Sequence, residues 1–379
     1  MRIAILGAST GGGHISVMKS LSAQFNKRGI TVEEYPTFYE DLYESNRILS
    51  NFYNMSQAKS MKLAVLLNEI MVAEGKRQRE RLYSLYTDSL DRFFRDKRDI
   101  IISTSSLINY HIIRFFAENR VGYNISFHII VTDPFKPMYP GFDVIGATSY
   151  FCPTDTSKKQ LVESGIDVER IFTFGYPVDS AFYNGNLCNA DELRKTLNIN
   201  KDIVIMINCG AAGSFSFFDM IVDLVQNTNH VHYLIVCGNN KALHTIIQNS
   251  LPSKDNYTLV GYADNMSDLY KLTDLCISKP GANTFFEQLI TNTVPIIYDF
   301  EGLMYQEKGV HNFLAEEIGL DLKFANAECL KDFIARELDL NKVKELKKKI
   351  STYKQKDAAN ETVMTILRGR NGLTEEFDY

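Results

Sequence analysis

The chain has 379 residues, of which 45% are hydrophobic and 23% charged. This balance is typical of a globular protein rather than a disordered one, and the length favours two domains. The formal net charge of −5 argues against general nucleic-acid binding. No apolar run approaches the roughly 18 to 20 residues that a membrane-spanning helix needs. The six cysteines are widely spaced without a CxxC pair, so they indicate neither a zinc site nor a disulfide framework.

The first predicted element is a buried strand at residues 2–6. Its apolar run is too short for the core of a signal peptide, so we expect a cytoplasmic protein. Further β-rich runs alternate with amphipathic helical segments such as 15–25 and 218–226. This alternation is typical of parallel sheets with helices on both faces, which place ligands at the carboxyl ends of their strands. The other predicted strands are 100–103, 126–132, 171–174, 203–208, 233–236, 259–260, 275–278 and 294–298.

The pattern of strands and helices suggests two domains. It runs once to a turn-rich stretch at 175–178 and begins again near Lys201. We therefore predict an α/β architecture of two Rossmann-like domains with a cleft between them, at 1–176 and 177–345. The remaining residues, 346–379, are predicted to form a lysine-rich helical segment with a solvated face, and a return to the N-terminal domain is one course open to it.

Four turn-forming motifs follow predicted strands in the second half, where a parallel sheet would hold a ligand. A single glycine turn is more often only a turn, but four at consecutive strand ends favour a binding site. The motifs contain Gly210 and Gly213, then Gly238 and Asn239, then Gly261 through Met266, and finally Lys279 through Thr284.

The last of these motifs has the clearest chemistry. Gly281 would let a ligand approach the backbone closely, and Asn283 or Thr284 could cap the following helix. The helix start would offer unpaired N–H groups to a diphosphate. Glu287, one turn further, could accept hydrogen bonds from two ribose hydroxyls. The alternative is a plain strand-to-helix turn with Glu287 as a surface charge.

In the first half, Gly11, Gly12 and Gly13 follow the first strand and lead into a helix that begins near His14. Glycines there would let backbone N–H groups face a ligand. An imidazole with an ordinary pKa near 6.5 suits a general base, so His14 is a catalytic candidate. Asp133, at the end of a predicted strand, is either an alternative base or the group that orients the histidine.

The segment 55–98 combines apolar residues with a basic run. A basic amphipathic helix can rest on an anionic membrane surface, which makes this segment a candidate for peripheral membrane contact. The alternative is an ordinary helical pair packed on the N-terminal domain, because interspersed acidic residues neutralise the basic ones.

Several of these motifs, in this order, resemble the GT-B glycosyltransferases. The closest group is the monogalactosyldiacylglycerol synthase and processive diacylglycerol glucosyltransferase family, in glycosyltransferase family 28, with the peptidoglycan enzyme MurG as a more distant relative. The matching residues are Gly11 to His14, Thr132 and Asp133, the stretch 152–178, Gly261 to Met266, Asp274 to Thr284, Glu287, and Gln306 with Glu307.

The resemblance implies an inverting, metal-independent transfer of a hexose or N-acetylhexosamine from a UDP-sugar, a co-substrate rather than a cofactor. It implies a lipid acceptor of the diacylglycerol type and a location at the inner face of the membrane. Tyr262 would flank the uracil, Asn283 and Thr284 the phosphates, Glu287 the ribose, and Gln306 with Glu307 the sugar. The full predicted donor set is Gly210, Gly213, Gly238, Asn239, Tyr262, Met266, Gly281, Ala282, Asn283, Thr284, Glu287, Gln306 and Glu307.

Two positions depart from the family pattern. Val310 stands where the family usually has an asparagine after Gln306-Glu307, and residues 134–140 replace a usual histidine and aromatic pair after Thr132-Asp133. Both lie where sugar or acceptor should bind. Three alternatives therefore stay open, namely transfer to a soluble small molecule or natural product, a UDP-sugar epimerase of GT-B architecture, and an inactive UDP-sugar-binding protein.

Overall fold

The computed structural model describes residues 1–10, 12–119, 125–183, 190–252 and 255–375. The chain divides into two compact units. The N-terminal unit comprises residues 1–52, 69–180 and 355–379, and the C-terminal unit comprises 53–68 and 181–354. The domain limits expected from the sequence, 1–176, 177–345 and 346–379, stay a prediction.

A six-stranded parallel sheet forms the centre of the N-terminal unit, in the order β2-β1-β3-β4-β5-β6. Strands β1 and β3 are buried along their whole length, as expected for parallel strands covered on both faces. The strands are β1 (Ile3–Leu6), β2 (Val32–Tyr35), β3 (Ile100–Ser103), β4 (Ser126–Ile130), β5 (Ser149–Cys152) and β6 (Ile171–Thr173).

Helices connect these strands. In chain order they are α1 (Gly13–Asn26), α2 (Phe38–Leu42), α3 (Glu44–Lys59), α4 (Met61–Arg77), α5 (Arg79–Phe94), α6 (Ser106–Asn119) and α7 (Asp155–Glu163). The division between the units falls within α3 and α4. The final helix, α16 (Ala358–Glu375), packs on α1, where Gln24 donates a hydrogen bond of 3.0 Å to Asp357 and Arg28 bonds Asn360.

The C-terminal unit has a five-stranded parallel sheet in the order β11-β10-β7-β8-β9. Its strands are β7 (Ile203–Asn208), β8 (Val231–Val236), β9 (Tyr257–Val260), β10 (Leu275–Ser278) and β11 (Val294–Ile297). The helices are α8 (Ala190–Thr196), α9 (Phe218–Asn227), α10 (Lys241–Ser250), α11 (Met266–Lys271), α12 (Ala282–Ile290), α13 (Val310–Phe313), α14 (Ala327–Arg336) and α15 (Leu340–Ile350).

Each sheet has a topological switch point, where successive connections turn to opposite sides. It lies between β1 and β3 in the first sheet and between β7 and β10 in the second. Ligands of open α/β sheets bind outside the carboxyl ends of the strands at such points. The strand order therefore directs attention to the loops after β1 and β3, and to those after β7 and β10.

The prediction of two α/β parallel-sheet domains is confirmed, and all nine predicted strands are present with ends shifted by at most two residues. Two strands, β2 and β5, were not predicted. The lysine-rich C-terminal segment is helical as predicted and forms two helices, α15 and α16. Within the described ranges, no helix is long and apolar enough to cross a membrane.

Candidate active site

The loop after β1 leads into α1 through the glycines. Gly12 is the residue before the helix and Gly13 its first residue, while Gly11 lies outside the described residues. A Cβ added at Gly12 would meet no atom within 4 Å, and one at Gly13 would only come to ordinary contact, 3.8 Å from the Tyr176 hydroxyl. Packing therefore does not demand glycine at either position, which leaves close approach of a ligand as a reason for it.

His14 is held by backbone at the switch point. Its Nδ1 lies 2.7 Å from the carbonyl oxygen of Thr104, which follows β3, and 3.1 Å from the Thr132 hydroxyl. A carbonyl oxygen can only accept, so Nδ1 carries the proton and Nε2 is the acceptor nitrogen. Burial lowers the pKa of His14, while the Thr104 hydrogen bond and the charge of Glu40 oppose this shift. The ring is therefore neutral near pH 7 and suited to take a proton at Nε2.

Thr104 and Thr132 are functional candidates that were not predicted as site residues, although Thr132 belongs to the matching Thr132-Asp133 pair. The single proton of the Thr104 hydroxyl is shared between the backbone carbonyls of Leu6 (3.2 Å) and His14 (3.1 Å), which fastens the start of α1 to β3. The sequence left Asp133 either as an alternative base or as the group that orients His14. In the structure the Thr104 carbonyl orients His14. Their positions were a signal as well, since Thr104 follows the predicted strand 100–103 and Thr132 is the last residue of the predicted strand 126–132.

Glu40 on α2 braces the loop after β1. Its Oε1 accepts hydrogen bonds from the Ser9 backbone at 3.0 Å, the Ser9 hydroxyl at 2.9 Å and the Ser50 hydroxyl at 2.7 Å. The side chain is buried, and its charge acts on His14. No sequence motif pointed to Glu40, because its partners are 10 and 31 residues away.

Asp133 follows β4 and differs sharply from an ordinary surface aspartate. Burial raises its pKa to about 7. Among the described residues, none donates a hydrogen bond to this carboxyl group, so nothing offsets the cost of removing its charge from water. A carboxyl group that titrates near neutrality can act as a base or an acid at that pH. It thus remains a catalytic candidate beside His14.

In the C-terminal unit, two of the predicted donor glycines serve to pack two loops together. A Cβ on Gly213 would lie 2.2 Å from the Cys237 carbonyl oxygen, and one on Gly238 would lie 2.3 Å from that of Gly210. Both glycines have positive φ, +66° and +59°. Close approach of the loops after β7 and β8 therefore explains Gly213 and Gly238. Asn239 joins the same contact, since its N–H donates to the Ala211 carbonyl at 2.9 Å.

The start of α12 has the properties expected of an anion site. Gly281 precedes the helix, a Cβ added to it would meet nothing within 4 Å, and no acidic residue stands in the first turn. The first backbone bond of the helix runs from Phe285 to Gly281, so the preceding N–H groups have no acceptor within the helix. The predicted side-chain cap by Asn283 or Thr284 is wrong, because the capping residue is Gly281 and makes no side-chain bond.

Asn283 has a different partner. Its amide donates a hydrogen bond to Oε1 of Glu287, one turn along the same helix. This bond holds the Glu287 side chain, which is half-buried. Ala282 and Thr284 stand beside them in the first turn of α12. The helix thus presents N–H groups and an oriented carboxylate next to the switch point between β7 and β10.

Gln306 and Glu307 lie in a short turn, Tyr305–Glu307, after β11. Glu307 bonds its own turn, accepting from the Met304 N–H at 3.1 Å, whereas Oε1 of Gln306 is buried without a partner among the described residues. The turn is braced from the segment 53–68, where Asn68 accepts from the Tyr305 N–H at 2.9 Å. Gln306 therefore has an acceptor to offer a ligand hydroxyl, and Glu307 has a structural task.

Lys279 and Glu301 are further polar residues at these strand ends. Burial lowers the pKa of Lys279, and the charges of Glu307 and Glu301 oppose that shift. Oε2 of Glu301 is buried and unpaired within the described part of the chain. Lys279 belongs to the predicted Lys279–Thr284 motif but was not predicted as a site residue. Its position after β10 was the available signal.

The remaining predicted positions divide between surface and core. Tyr262 is 59% exposed, as a side chain free to stack on a base would be. Met266, in contrast, begins α11 and packs partly buried against the core of the C-terminal unit. Val310, where the family usually has asparagine, is completely buried. That position therefore offers no polar group to a sugar.

Two family models match consecutive parts of the chain. Residues 14–178 match the monogalactosyldiacylglycerol (MGDG) synthase family, and residues 204–363 match the glycosyltransferase family 28 C-terminal domain. The chain is 24% identical over 303 residues to a processive diacylglycerol beta-glucosyltransferase of Staphylococcus haemolyticus, covering 78% of this chain and 75% of the relative. It is 24% identical over 382 residues to one of Bacillus cereus, covering 96% and 93%.

Solved structures with the same fold include both transferases and epimerases. MurG of Acinetobacter baumannii has a TM-score of 0.61 at 13% identity, covering 97% of this chain and 100% of that one. MnaA of S. aureus in complex with UDP has a TM-score of 0.60 at 13% identity, covering 98% of both chains. At this identity the likeness is one of fold alone. From the two family models and this fold, we conclude that the chain is a GT-B glycosyltransferase, with an N-terminal half of the monogalactosyldiacylglycerol synthase type and a C-terminal domain of glycosyltransferase family 28.

Proposed function

We propose that the protein transfers a hexose from its UDP-sugar to the hydroxyl of a diacylglycerol-type lipid, and that glucose is the preferred hexose. The transfer would invert the anomeric centre and need no metal ion. The names of the curated relatives support the acceptor and the sugar. The observation that carries the donor assignment is the start of α12, where Gly281 leaves open space and Asn283 holds the Glu287 carboxylate.

The donor would be bound by the C-terminal unit. The unpaired N–H groups at the start of α12 and the helix dipole would hold the diphosphate. Lys279, partly buried nearby in the chain, would add positive charge as the UDP leaves. Glu287 would accept hydrogen bonds from the ribose hydroxyls, Tyr262 would stack on the uracil, and Gln306 would accept from a sugar hydroxyl.

The proton of the acceptor hydroxyl would be taken by the N-terminal unit. In the transfer, the acceptor oxygen bonds to the anomeric carbon as the bond from that carbon to the UDP oxygen breaks. The proton would pass to Nε2 of His14, and the Thr104 carbonyl would stabilise the resulting imidazolium through Nδ1–H. Asp133, with a pKa of about 7, is the alternative base.

We further propose that the protein works in the cytoplasm at the inner face of the membrane. Helix α3 supports this proposal, since Ile48, Leu49 and Phe52 are exposed large apolar side chains within two turns. The basic run supports it less, because Arg95 pairs with Asp91 at 2.7 Å and Arg98 is buried against Glu33 at 3.2 Å. Apolar insertion rather than charge would then dominate the contact.

One other function has an observation in its favour. A UDP-N-acetylglucosamine 2-epimerase of Neisseria meningitidis, solved with UDP-GlcNAc, shares the fold with a TM-score of 0.57 at 13% identity, covering 97% of this chain and 100% of that one. An epimerase would convert its UDP-sugar without any acceptor. Formation of the 2-epimer from UDP-GlcNAc alone, measured by NMR, would identify this activity.

The test of the proposed function is UDP release by the purified protein in EDTA. UDP-glucose, UDP-galactose and UDP-N-acetylglucosamine are each supplied with and without diacylglycerol in mixed micelles, and the product lipid is analysed by mass spectrometry. We expect lipid-dependent release and a glycosylated diacylglycerol of inverted, β configuration. Release that depends on added Mg²⁺, or an α-linked product, would refute the corresponding part of the proposal. Donor binding without lipid stimulation would shift the acceptor to a soluble molecule.

A further inference from the structure

The N-terminal unit contains a cavity that the proposed transfer chemistry does not use. Its volume is about 330 Å³, within the about 300 to 1,000 Å³ typical of small-molecule sites. Its wall is formed by α3, the second half of α4, the first half of α5, the start of α6 and the loop after β4. Most of the lining surface is apolar, contributed by residues such as Leu49, Ile70, Val72, Leu82 and Leu107.

The cavity opens among exposed apolar side chains. Leu49 and Ile70 both line it and are 36% and 50% exposed. Ile48 and Phe52, on the same helix as Leu49, are exposed as well. Contiguous exposed apolar side chains on a protein surface are typical of membrane or ligand contact. An entrance of this kind suits a ligand that arrives from an apolar phase rather than from water.

Part of the cavity wall belongs to the loop that carries Asp133. Tyr139 and Gly141 of this loop line the cavity. Gly141 lies against α6, because a Cβ there would be 2.3 Å from the Ser106 carbonyl oxygen, and Asn109 donates to the Gly141 carbonyl at 3.0 Å. The charge of Asp133 also acts on the Tyr139 hydroxyl. A ligand that fills the cavity would therefore contact the loop that carries a candidate catalytic residue.

The polar groups of the wall suit an uncharged ligand. His111 is only 4% exposed, and its Nδ1 has no partner among the described residues, so a bound molecule could supply one. Burial keeps this imidazole neutral, with a pKa of about 4. The Arg79 guanidinium lies over the Tyr110 ring, 5.2 Å from its centre, and Glu74 accepts from Gln78 at 2.7 Å. Both charged side chains of the wall thus have partners.

We propose that this cavity binds one acyl chain of the neutral acceptor lipid, with an ester oxygen at His111 and the glycerol end toward the Tyr139 loop. The inference rests on the proposed function, because it assumes a diacylglycerol-type acceptor. It assigns the recognition of acceptor chain length to the N-terminal unit, and specifically to α4, α5 and α6.

Gly75 offers a way to fill the cavity. It lines the cavity on α4, and a Cβ added there would meet no atom within 4 Å. Gly75→Phe is therefore the blocking variant and Gly75→Ala its matched control, with Val72→Trp as a second blocking variant. UDP affinity and the melting temperature of each variant report whether it has folded.

The experiment compares kcat/KM for dioleoyl-glycerol and dihexanoyl-glycerol. We expect each blocking variant to lower the long-to-short ratio by at least about tenfold, as when a few methylene groups no longer fit, with Gly75→Ala near wild type. In parallel, a diacylglycerol with a diazirine at its chain end is crosslinked to the wild-type protein. Because the proposal places the ester end at His111, the label should map to the tryptic peptides that contain Leu49 or residues 70–75.

The outcomes separate this inference from the proposed function. If wild-type protein glycosylates diacylglycerol, but the label maps elsewhere and the blocking variants keep the chain-length ratio, the inference is wrong and the proposed function stands. If a water-soluble acceptor is used and no diacylglycerol reacts, the proposed acceptor fails and this inference fails with it. Labelling at these peptides, lost in Gly75→Phe and retained in Gly75→Ala, supports both.

Discussion

Replacing Glu287 by alanine tests the donor assignment most directly. In the structure the Asn283 amide donates a hydrogen bond to one oxygen of this carboxylate. The donor assignment requires the carboxylate to accept hydrogen bonds from the two ribose hydroxyls of the bound nucleotide. Hydrogen bonds to a charged group contribute about 1.5 to 3 kcal/mol each. Because Glu287 is half-buried, we take the lower value for two bonds, about 3 kcal/mol, which weakens UDP binding by roughly 100-fold.

Isothermal titration calorimetry with two nucleotides isolates this contribution. Wild-type protein and Glu287→Ala are each titrated with UDP and with 2′,3′-dideoxy-UDP, which lacks both hydroxyls. The wild type should lose most of its affinity for the dideoxy nucleotide, whereas the variant should bind both nucleotides almost equally. Asn283→Ala keeps the carboxylate and is the matched control, with an expected loss of less than about tenfold.

These titrations also define the result that would contradict the assignment of Glu287 to the ribose. If Glu287→Ala weakens UDP and dideoxy-UDP by the same factor, the carboxylate acts on the phosphates, the base or the fold, and not on the ribose. If Asn283→Ala costs as much as Glu287→Ala, then the bond between these two side chains is what matters, and Asn283 orients the carboxylate more strongly than we infer.

Three further predictions follow from the geometry of the other loops. His14→Ala should lower kcat by about 10² to 10⁴ with UDP affinity unchanged, and near-normal kcat would move the base to Asp133. Gly213→Ala should lower the free energy of unfolding by about 3 kcal/mol, because the added Cβ would lie 2.2 Å from a carbonyl oxygen and φ is +66°. Gly210→Ala is the control, since φ is +80° but a Cβ would meet nothing within 4 Å, and it should cost only about 1 kcal/mol. Urea unfolding measures both values. Burial raises the pKa of Asp133 from 3.8 to about 7, so the cost of its buried charge grows as pH rises between these values. The unfolding free energy of Asp133→Asn should therefore exceed that of wild type by about 4 kcal/mol at pH 8 but not at pH 4. A pH-independent difference between Asp133→Asn and wild type would contradict that last interpretation.

The central strands were predictable because parallel strands covered on both faces read as continuous apolar runs. Ile203–Asn208 and Leu275–Ser278 were located to the residue for this reason. Strand β2 was missed because two of its four residues are Glu33 and Glu34. It lies at the edge of the sheet, where Glu33 pairs with Arg2 at 2.8 Å and with Arg98 at 3.2 Å. Charge on an edge strand is common, but the sequence alone does not identify the partners.

The same limit applied to the candidate site. Its glycines, His14 and Glu287 stand at strand ends that the apolar runs already marked, so sequence could find them. What it could not separate was a glycine required by packing from one that leaves room for a ligand. Gly213 and Gly281 occur in similar motifs, yet a Cβ would collide with a carbonyl oxygen at the first and meet nothing at the second.

The sequence also could not identify the groups that set the protonation states of His14 and Asp133. The protonated nitrogen of His14 is fixed by a backbone carbonyl 90 residues away, and a carbonyl leaves no side-chain signature. Burial alone gives Asp133 a pKa of about 7, although its neighbours in sequence resemble an ordinary turn. The sequence therefore narrowed the candidates for the general base to His14 and Asp133, and the fold gives these two residues different protonation states near pH 7. His14 is a neutral ring with one nitrogen already occupied, so it can act only through the other. Asp133 changes protonation near neutrality, so a base role for it would make kcat rise with pH around 7, and His14 as the base would keep kcat level there.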